Sequence, residues 1–372
     1  MTAAGETPTA AAPPAAPELA AGELLALAAE LVDIPSVTGD EAVLASRIED
    51  ELRRVPWLGV ERVGDSIVAR TQLGRSVRVV LAGHTDTVPG PPGARLEGEL
   101  LYGTGSADMK GALAVFLELA RHLDAPTVDV TYVFYAREEG SFAGNELGVL
   151  LGERPDLLAG DLVVLGEPTG GWIEAGCQGS LRVEVTLAGR RAHTARPWMG
   201  ENAVHRLGAL LERVAAWAER RPVIDGCEYR EALQAVSVSG GIASNVVPDR
   251  ATVTLNHRVA PDRTLDEAFE RLRAYLEPVL AEGDELVVTD RSDPAPPGLD
   301  HPLVGSFIAR NRLEVRAKLG WTDVARFAGL GVPAVNFGPG DPELAHTEGE
   351  HVDRASLERA HAALLELLTH PA

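Results

Sequence analysis

Residues 79–88 read Val-Val-Leu-Ala-Gly-His-Thr-Asp-Thr-Val, an apolar, β-branched run that ends in His84 and Asp86. Its first half predicts a strand buried on both faces, as in a parallel sheet. The carboxyl end of that strand then carries an imidazole and a carboxylate two residues apart. Along a strand, residues i and i+2 point the same way, so Asp86 is expected to reach the His84 ring and fix its tautomer. By itself the pair fits a strand running into a polar turn as well as it fits the start of a metal site. The rest of the chain decides between the two.

The pattern repeats. Residues 128–136 form a second apolar run and end in Arg137-Glu138-Glu139-Gly140. Residues 161–165 form a third and end in Gly166-Glu167-Pro168. Between the first and second lies Leu101-Tyr-Gly-Thr-Gly-Ser-Ala-Asp-Met-Lys-Gly, which sets Asp108 where a loop enters the helical segment 111–122. As a carboxylate at a helix N-terminus, Asp108 alone would be unremarkable. Adjacent carboxylates such as Glu138 and Glu139 repel unless a cation or protons intervene. A further strand at 334–337 leads into a Gly/Pro-rich loop that contains His346. Open α/β sheets build their sites outside the carboxyl ends of the strands. These residues therefore point to one metal centre.

Imidazole and carboxylate without thiolate suit zinc, with manganese or cobalt as alternatives. Two ions need a shared ligand, and Asp108, in its Gly-framed loop, is the natural bridge. One ion then takes His84, Asp108 and Glu167; the other takes Asp108, Glu139 and His346. Two divalent ions about 3.5–4 Å apart can hold a water whose pKa falls toward about 7. Glu138 is left free to act as the general base. No GxSxG elbow, Walker loop or GxGxxG fingerprint is present.

The chain has 372 residues, 45% hydrophobic and 24% charged, with two cysteines and a net charge of −21. That length predicts two domains. The charge argues against nucleic acid as a partner, and no apolar run reaches the ~18–20 residues of a membrane span. Residues 1–17, rich in Ala, Pro and Thr, read as a disordered tail without a signal peptide's layout, so a cytoplasmic location is expected. Cys177 and Cys227 are expected to be reduced thiols. Residues 18–31 and a segment from about 40 to 54 predict helices, the second capped by Thr38 or Asp40. From 179 to 292 the order is β-α-β-β-α-β, that of a split βαβ, ferredoxin-like unit. The expected organisation is thus a catalytic α/β domain, 18–178 and 293–372, with a central mixed sheet flanked by helices. A dimerisation or lid domain of α+β type, 179–292, interrupts it.

Together, AGHTDTVP, GTGSADMKG, YAREEGS, LGEPT and GPGDPELAHT resemble the di-zinc aminoacylase/carboxypeptidase/desuccinylase family of metallopeptidases. The resemblance runs from about Glu18 to the end of the chain. It implies a di-zinc aminopeptidase-like fold, the metal roles assigned above and hydrolysis of an N-acyl amino acid. Further segments, among them EAGCQGSLRVEV, AGRRAHTARPW, GGIASNVVPD and KLGWTDVARF, sharpen this. They imply N-succinyl-LL-2,6-diaminopimelate as substrate, cleaved to succinate and LL-2,6-diaminopimelate on the way to lysine. A related deacylase, for acetylornithine, or a carboxypeptidase is the alternative. The resemblance also implies a homodimer through the inserted domain. His193 would cross to the partner's site to stabilise the oxyanion, and Asn245 would likewise reach substrate from the partner. Arg258, Thr322, Asp323 and Arg326 are implied as substrate contacts, and a cis peptide is implied after Asp108. Proteobacterial members acting on a succinylated substrate carry an Arg pair where this chain has Cys177-Gln178. Arg182 or Arg258 would have to take over its carboxylate contact.

Overall fold

The computed structural model describes residues 23–370; the tail expected at 1–17 lies outside the described residues. The strand read from 79–88 is Arg78–His84, and Val79 to Ala82 are completely buried. It pairs in parallel with Asp129–Tyr135 on one side and with Leu162–Leu165 on the other. Ala334–Asn336 adds a fourth parallel strand beside Leu162–Leu165. Strands covered on both faces need apolar side chains at every position, which is why these runs show no alternation.

The four parallel strands form the middle of an eight-stranded mixed sheet. Gly59–Val63 and Ser66–Arg70 extend one edge antiparallel, and Ile173–Ala175 and Val315–Ala317 form the other. Helices Glu23–Val32, Ala42–Leu52, Gly111–His122, Pro302–Asn311 and Arg354–Thr369 pack one face. Glu146–Glu153, Pro155–Leu158 and Val324–Ala328 pack the other. Helices on both faces of a mostly parallel sheet make this an α/β fold. The strands at 173–175 and 315–317 escape sequence reading because three residues are too few to show a period.

A second sheet runs in the order Ala232–Gly240, Arg250–Val259, Gly179–Ala188, Glu285–Ser292, antiparallel throughout. Helices Ala203–Ala215 and Leu265–Leu276 share a separate apolar core with it. That strand order is the ferredoxin-like one. Arg250–Val259 buries every second residue, as an antiparallel strand with one wet face must. Leu265–Leu276 begins with a capping box between Thr264 and Glu267.

One local expectation fails. Helix Ala42–Leu52 has Glu41 at its N-cap with no side-chain cap, so neither Thr38 nor Asp40 fills that role. The Thr38 hydroxyl instead donates to the Asp86 carboxylate at 2.9 Å. A tertiary acceptor has taken the group that local patterning assigned to the helix.

Candidate metal centre

The four parallel strands end on the same edge of the sheet, and their exits carry the residues singled out in the sequence. His84 is the last residue of its strand. Glu138 and Glu139 follow Tyr135 by three and four residues, and Glu167 follows Leu165 by two. Asp108 comes from the turn Ser106–Lys110, entered through Gly105 at φ 83°, where a side chain would be strained. The Asp108–Met109 peptide is cis. His346 arrives on the loop after Ala334–Asn336.

Ligand atoms of His84, Asp108 and Glu167 lie within 4.8 Å of one another, and so do those of Asp108, Glu139 and His346. A third group joins His84, Glu138 and Glu139. Asp108 belongs to the first two, with Oδ1 3.1 Å from His84 Nε2 and Oδ2 3.5 Å from His346 Nε2. Ligands held about 2.1 Å from a tetrahedral zinc are about 3.4 Å apart, so these spacings suit a bridging carboxylate. Glu167 Oε1 is buried and has no hydrogen-bond partner among the described residues. An orphaned carboxylate oxygen aimed into an imidazole–carboxylate cluster fits a cation. His346 Nε2 sits 2.7 Å from Glu139 Oε1.

Asp86 acts differently from expectation. The His84 ring is held at Nδ1 by the main-chain carbonyl of Asp86, 2.9 Å away, while the Asp86 carboxylate is 3.7 Å off. The strand stops at His84, so the alternation that would align residues 84 and 86 no longer applies. The carbonyl still fixes the tautomer, leaving Nε2 toward Asp108. The carboxylate instead accepts the N–H groups of Glu138 at 2.9 Å and Glu139 at 3.0 Å.

Charge explains the proton affinities. Burial pushes Glu138 well above the usual carboxylate range, and Glu167, Asp323 and Glu139 add to this while His84 opposes it. Burial, helped by Asp108, lifts Glu167 to about 7. Hydrogen bonding to Asp108 and Glu139 lifts His346 to about 10. Burial works against the charged form of His84, but Asp108, Glu138 and Asp86 outweigh it and raise its pKa well above the imidazole range. Burial among neighbouring carboxylates thus raises the proton affinity of Glu138 and Glu167, while His84 and His346 hydrogen-bond to Asp108 and lower its own. A divalent ion would answer the same charge.

The remaining expectations divide. His193 and Asn245 are exposed neighbours on a small ribbon, Ala192–His193 against Val246–Val247, and His193 is in none of the ligand groups. The Arg258 guanidinium has no hydrogen-bond or ion-pair partner among the described residues, and burial followed by repulsion from Arg182 lowers its pKa. Thr322 and Asp323, expected as substrate contacts, are turned inward. Thr322 donates to Asn336 at 2.9 Å. Asp323 is fully buried and takes hydrogen bonds from Tyr135 at 2.9 Å, Asn145 at 2.8 Å and Arg326 at 2.5 Å. Arg326 also donates to the Phe142 carbonyl and lies over the Phe142 ring. A polar motif in a loop gives no sign of which way it faces, so sequence reading put these side chains in the cleft.

Two residues escaped the sequence reading. Lys318 is half-buried, lies 2.8 Å from Glu174 and interacts electrostatically with Glu167. Glu350 is buried against the Asp108 loop. Neither stands in a pattern that sequence could separate from a surface charge.

Strand-exit carboxylates and imidazoles sharing one Asp, on a mostly parallel sheet, define the class of dinuclear metallohydrolases. Residues 80–370 match the sequence profile of peptidase family M20/M25/M40, and the chain belongs to that family. A Corynebacterium glutamicum succinyl-diaminopimelate desuccinylase is 45% identical over 356 residues, covering 94% of this chain and 96% of the relative. A Mycobacterium tuberculosis protein that carries the same name provisionally is 48% identical over 342 residues, 91% of this chain and 96% of its own. Among solved structures, a tripeptidase from Staphylococcus aureus superposes with a TM-score of 0.75 at 18% identity, covering 94% and 98% of the two chains. A Bacillus subtilis protein described as a dinuclear metal binding peptidase of family M20 gives 0.66 at 16%, covering 93% and 96%. At these identities the structures establish the shared fold.

Proposed function

We propose that the chain is a two-metal amidohydrolase that cleaves N-succinyl-LL-2,6-diaminopimelate to succinate and LL-2,6-diaminopimelate, a step in lysine biosynthesis. The observation that carries this reading is the pair of ligand groups that share Asp108. The substrate is taken from the relatives at 45% and 48% identity. His84, Asp108 and Glu167 would hold one ion, and Asp108, Glu139 and His346 the other; zinc suits this donor set, as do cobalt and manganese. Such ions supply Lewis acidity toward the scissile carbonyl and an acidified water.

Glu138 takes the proton of the attacking water and later gives it to the leaving amine. Its place beside His84 and Glu139, outside both groups that share Asp108, leaves its carboxylate free for that transfer. Asp86 fixes Glu138 through its main-chain N–H. Arg258, half-buried and without an anionic partner among the described residues, is suited to a substrate carboxylate. Residues 179–292 serve as lid and as the contact of a homodimer, and His193 and Asn245 reach the partner's site from their exposed ribbon. His193 there stabilises the developing oxyanion. Among the described residues, no helix is long and apolar enough to cross a membrane; we place the enzyme in the cytoplasm.

A panel of N-acyl amino acids, assayed for release of the free amine, tests this reading. The succinylated diaminopimelate should give the highest kcat/KM. A higher value for N-acetylornithine, or for a dipeptide, would assign the chain to another branch of the family.

A further inference from the structure

The spacing of the two ligand groups is set by the residue they share, so whatever holds the Asp108 loop holds both. Three main-chain N–H groups of that loop converge on one carboxylate. Ala107 and Asp108 donate to Glu350 Oε1 at 2.9 and 3.0 Å, and Gly105 donates to Oε2 at 3.1 Å. Gly103 N–H also donates to the Glu350 main-chain carbonyl at 3.2 Å. Glu350 is 4% exposed. Burying a carboxylate is unfavourable unless donors meet it, and here they are backbone amides of fixed direction. The Lys110 ammonium, buried and donating to the Ile34 carbonyl at 2.7 Å, provides the compensating charge. Glu350 also lies four residues after His346 in the same loop. One short segment thus carries a candidate ligand at one end and the anchor of another ligand at the other.

We propose that Glu350 is a positioning residue of the metal centre, clamping residues 105–108 through their amides so that the two oxygens of Asp108 face His84 and His346. The proposal rests on Asp108 being the shared ligand, as read above. Asp86 offers an internal parallel, since it holds Glu138 and Glu139 by the same device. Because the Glu350 carboxylate is hydrogen-bonded to main chain and is in none of the ligand groups, its removal should alter the geometry of the site and leave the donor set intact.

The test compares Glu350→Gln and Glu350→Ala with Glu348→Gln, a nearby exposed control, in the full-length chain. Chelator-stripped protein is titrated calorimetrically with Zn²⁺, and with Co²⁺ while the visible absorption spectrum is recorded. Glutamine can keep two of the three bonds but presents an amino group to the third N–H. We expect wild type and Glu348→Gln to bind two ions. Glu350→Gln should bind the second ion at least tenfold more weakly, with a changed Co²⁺ spectrum, and Glu350→Ala should do so more severely. Both should lower kcat more than they raise KM, with circular dichroism unchanged. Two wild-type affinities and an unchanged spectrum in Glu350→Gln would overturn the proposal, even with lowered thermal stability. That comparison decides the matter if the alanine variant fails to fold. Asp108→Asn separates the two layers of inference. If it binds both ions as wild type does, the shared-ligand reading falls. If it loses an ion while the Glu350 variants do not, only the clamp falls.

Discussion

Asp86→Asn replaces one buried carboxylate oxygen by an amino group and leaves the shape unchanged. Asp86 Oδ1 accepts from Glu138 N–H at 2.9 Å, and Oδ2 accepts from Glu139 N–H at 3.0 Å and the Thr38 hydroxyl at 2.9 Å. With the amide oxygen at Oδ2, the Glu138 N–H faces a donor. With it at Oδ1, the Glu139 N–H does, while the Thr38 hydroxyl can turn and accept. One buried amide is frustrated either way, and the surviving bonds lose their charge. A hydrogen bond to a charged group contributes about 1.5–3 kcal/mol against about 0.5–1.5 for a neutral one, so the lost charge costs about 1 kcal/mol, and an unmatched buried donor costs about 1–3 kcal/mol. The total is about 2–4 kcal/mol, applied to the turn that carries the proposed base. If half of it reaches the barrier, kcat falls about 5- to 30-fold. No Asp86 oxygen belongs to a ligand group, so two ions per chain should remain. Amine release from the succinylated substrate gives kcat, and atomic absorption gives the metal content. Turnover at the wild-type rate would refute this reasoning. So would a variant that loses an ion while keeping its rate.

Glu138→Gln should keep both ions and lose about 10²–10⁴-fold in kcat, the usual share of a general base; a near wild-type rate would remove Glu138 from that role. Mixing it with inactive His193→Ala chains should restore activity once subunits exchange, because one hybrid site regains both groups; hybrids without activity would refute the shared site. Acid sensitivity offers a test away from the centre. His257 is fully buried with neither ring nitrogen hydrogen-bonded among the described residues, and burial, with Arg263, Arg271 and Arg220, lowers its pKa to about 4. A base whose folded pKa lies below its unfolded value of about 6.5 is protonated first in the unfolded chain. Its stability contribution is therefore intact above about 6.5 and is lost as the pH falls toward 4. Between pH 7 and 5 the loss is about 2 kcal/mol. Burial followed by repulsion from His122 lowers His361 to about 4 as well, so His257→Leu should remove about half of the combined loss. Urea midpoints at the two pH values read it, and an unchanged difference would contradict the assignment.

Much of the candidate centre was legible because its logic is one-dimensional. A strand buried on both faces must be apolar, so a His, Glu or Asp where such a run stops stands out. Three such stops, a Gly-framed Asp and the His of a fourth strand's exit loop were enough to name six residues that the fold gathers at one sheet edge. The ferredoxin-like strand order was legible for a related reason, since alternation in Arg250–Val259 and amphipathic helices on either side have fixed periods.

Other features depended on direction and distance. Asp86 lay in plain view, yet the end of the strand at His84 decided that its carbonyl meets the ring and its carboxylate meets residues 138 and 139. Thr322 and Asp323 sat in a polar motif, but packing against Tyr135, Asn145 and Asn336 turned them inward. Glu350 reaches across 242 residues to the amide of Asp108, and no sequence period records such a contact. The sequence by itself determined which residue types stand at the strand exits, because burial dictates composition locally. Only the tertiary structure decided which carboxylates gather in the candidate centre and which hold the backbone in place. Hydrogen-bond direction depends on three-dimensional packing, which the order of residues does not encode locally.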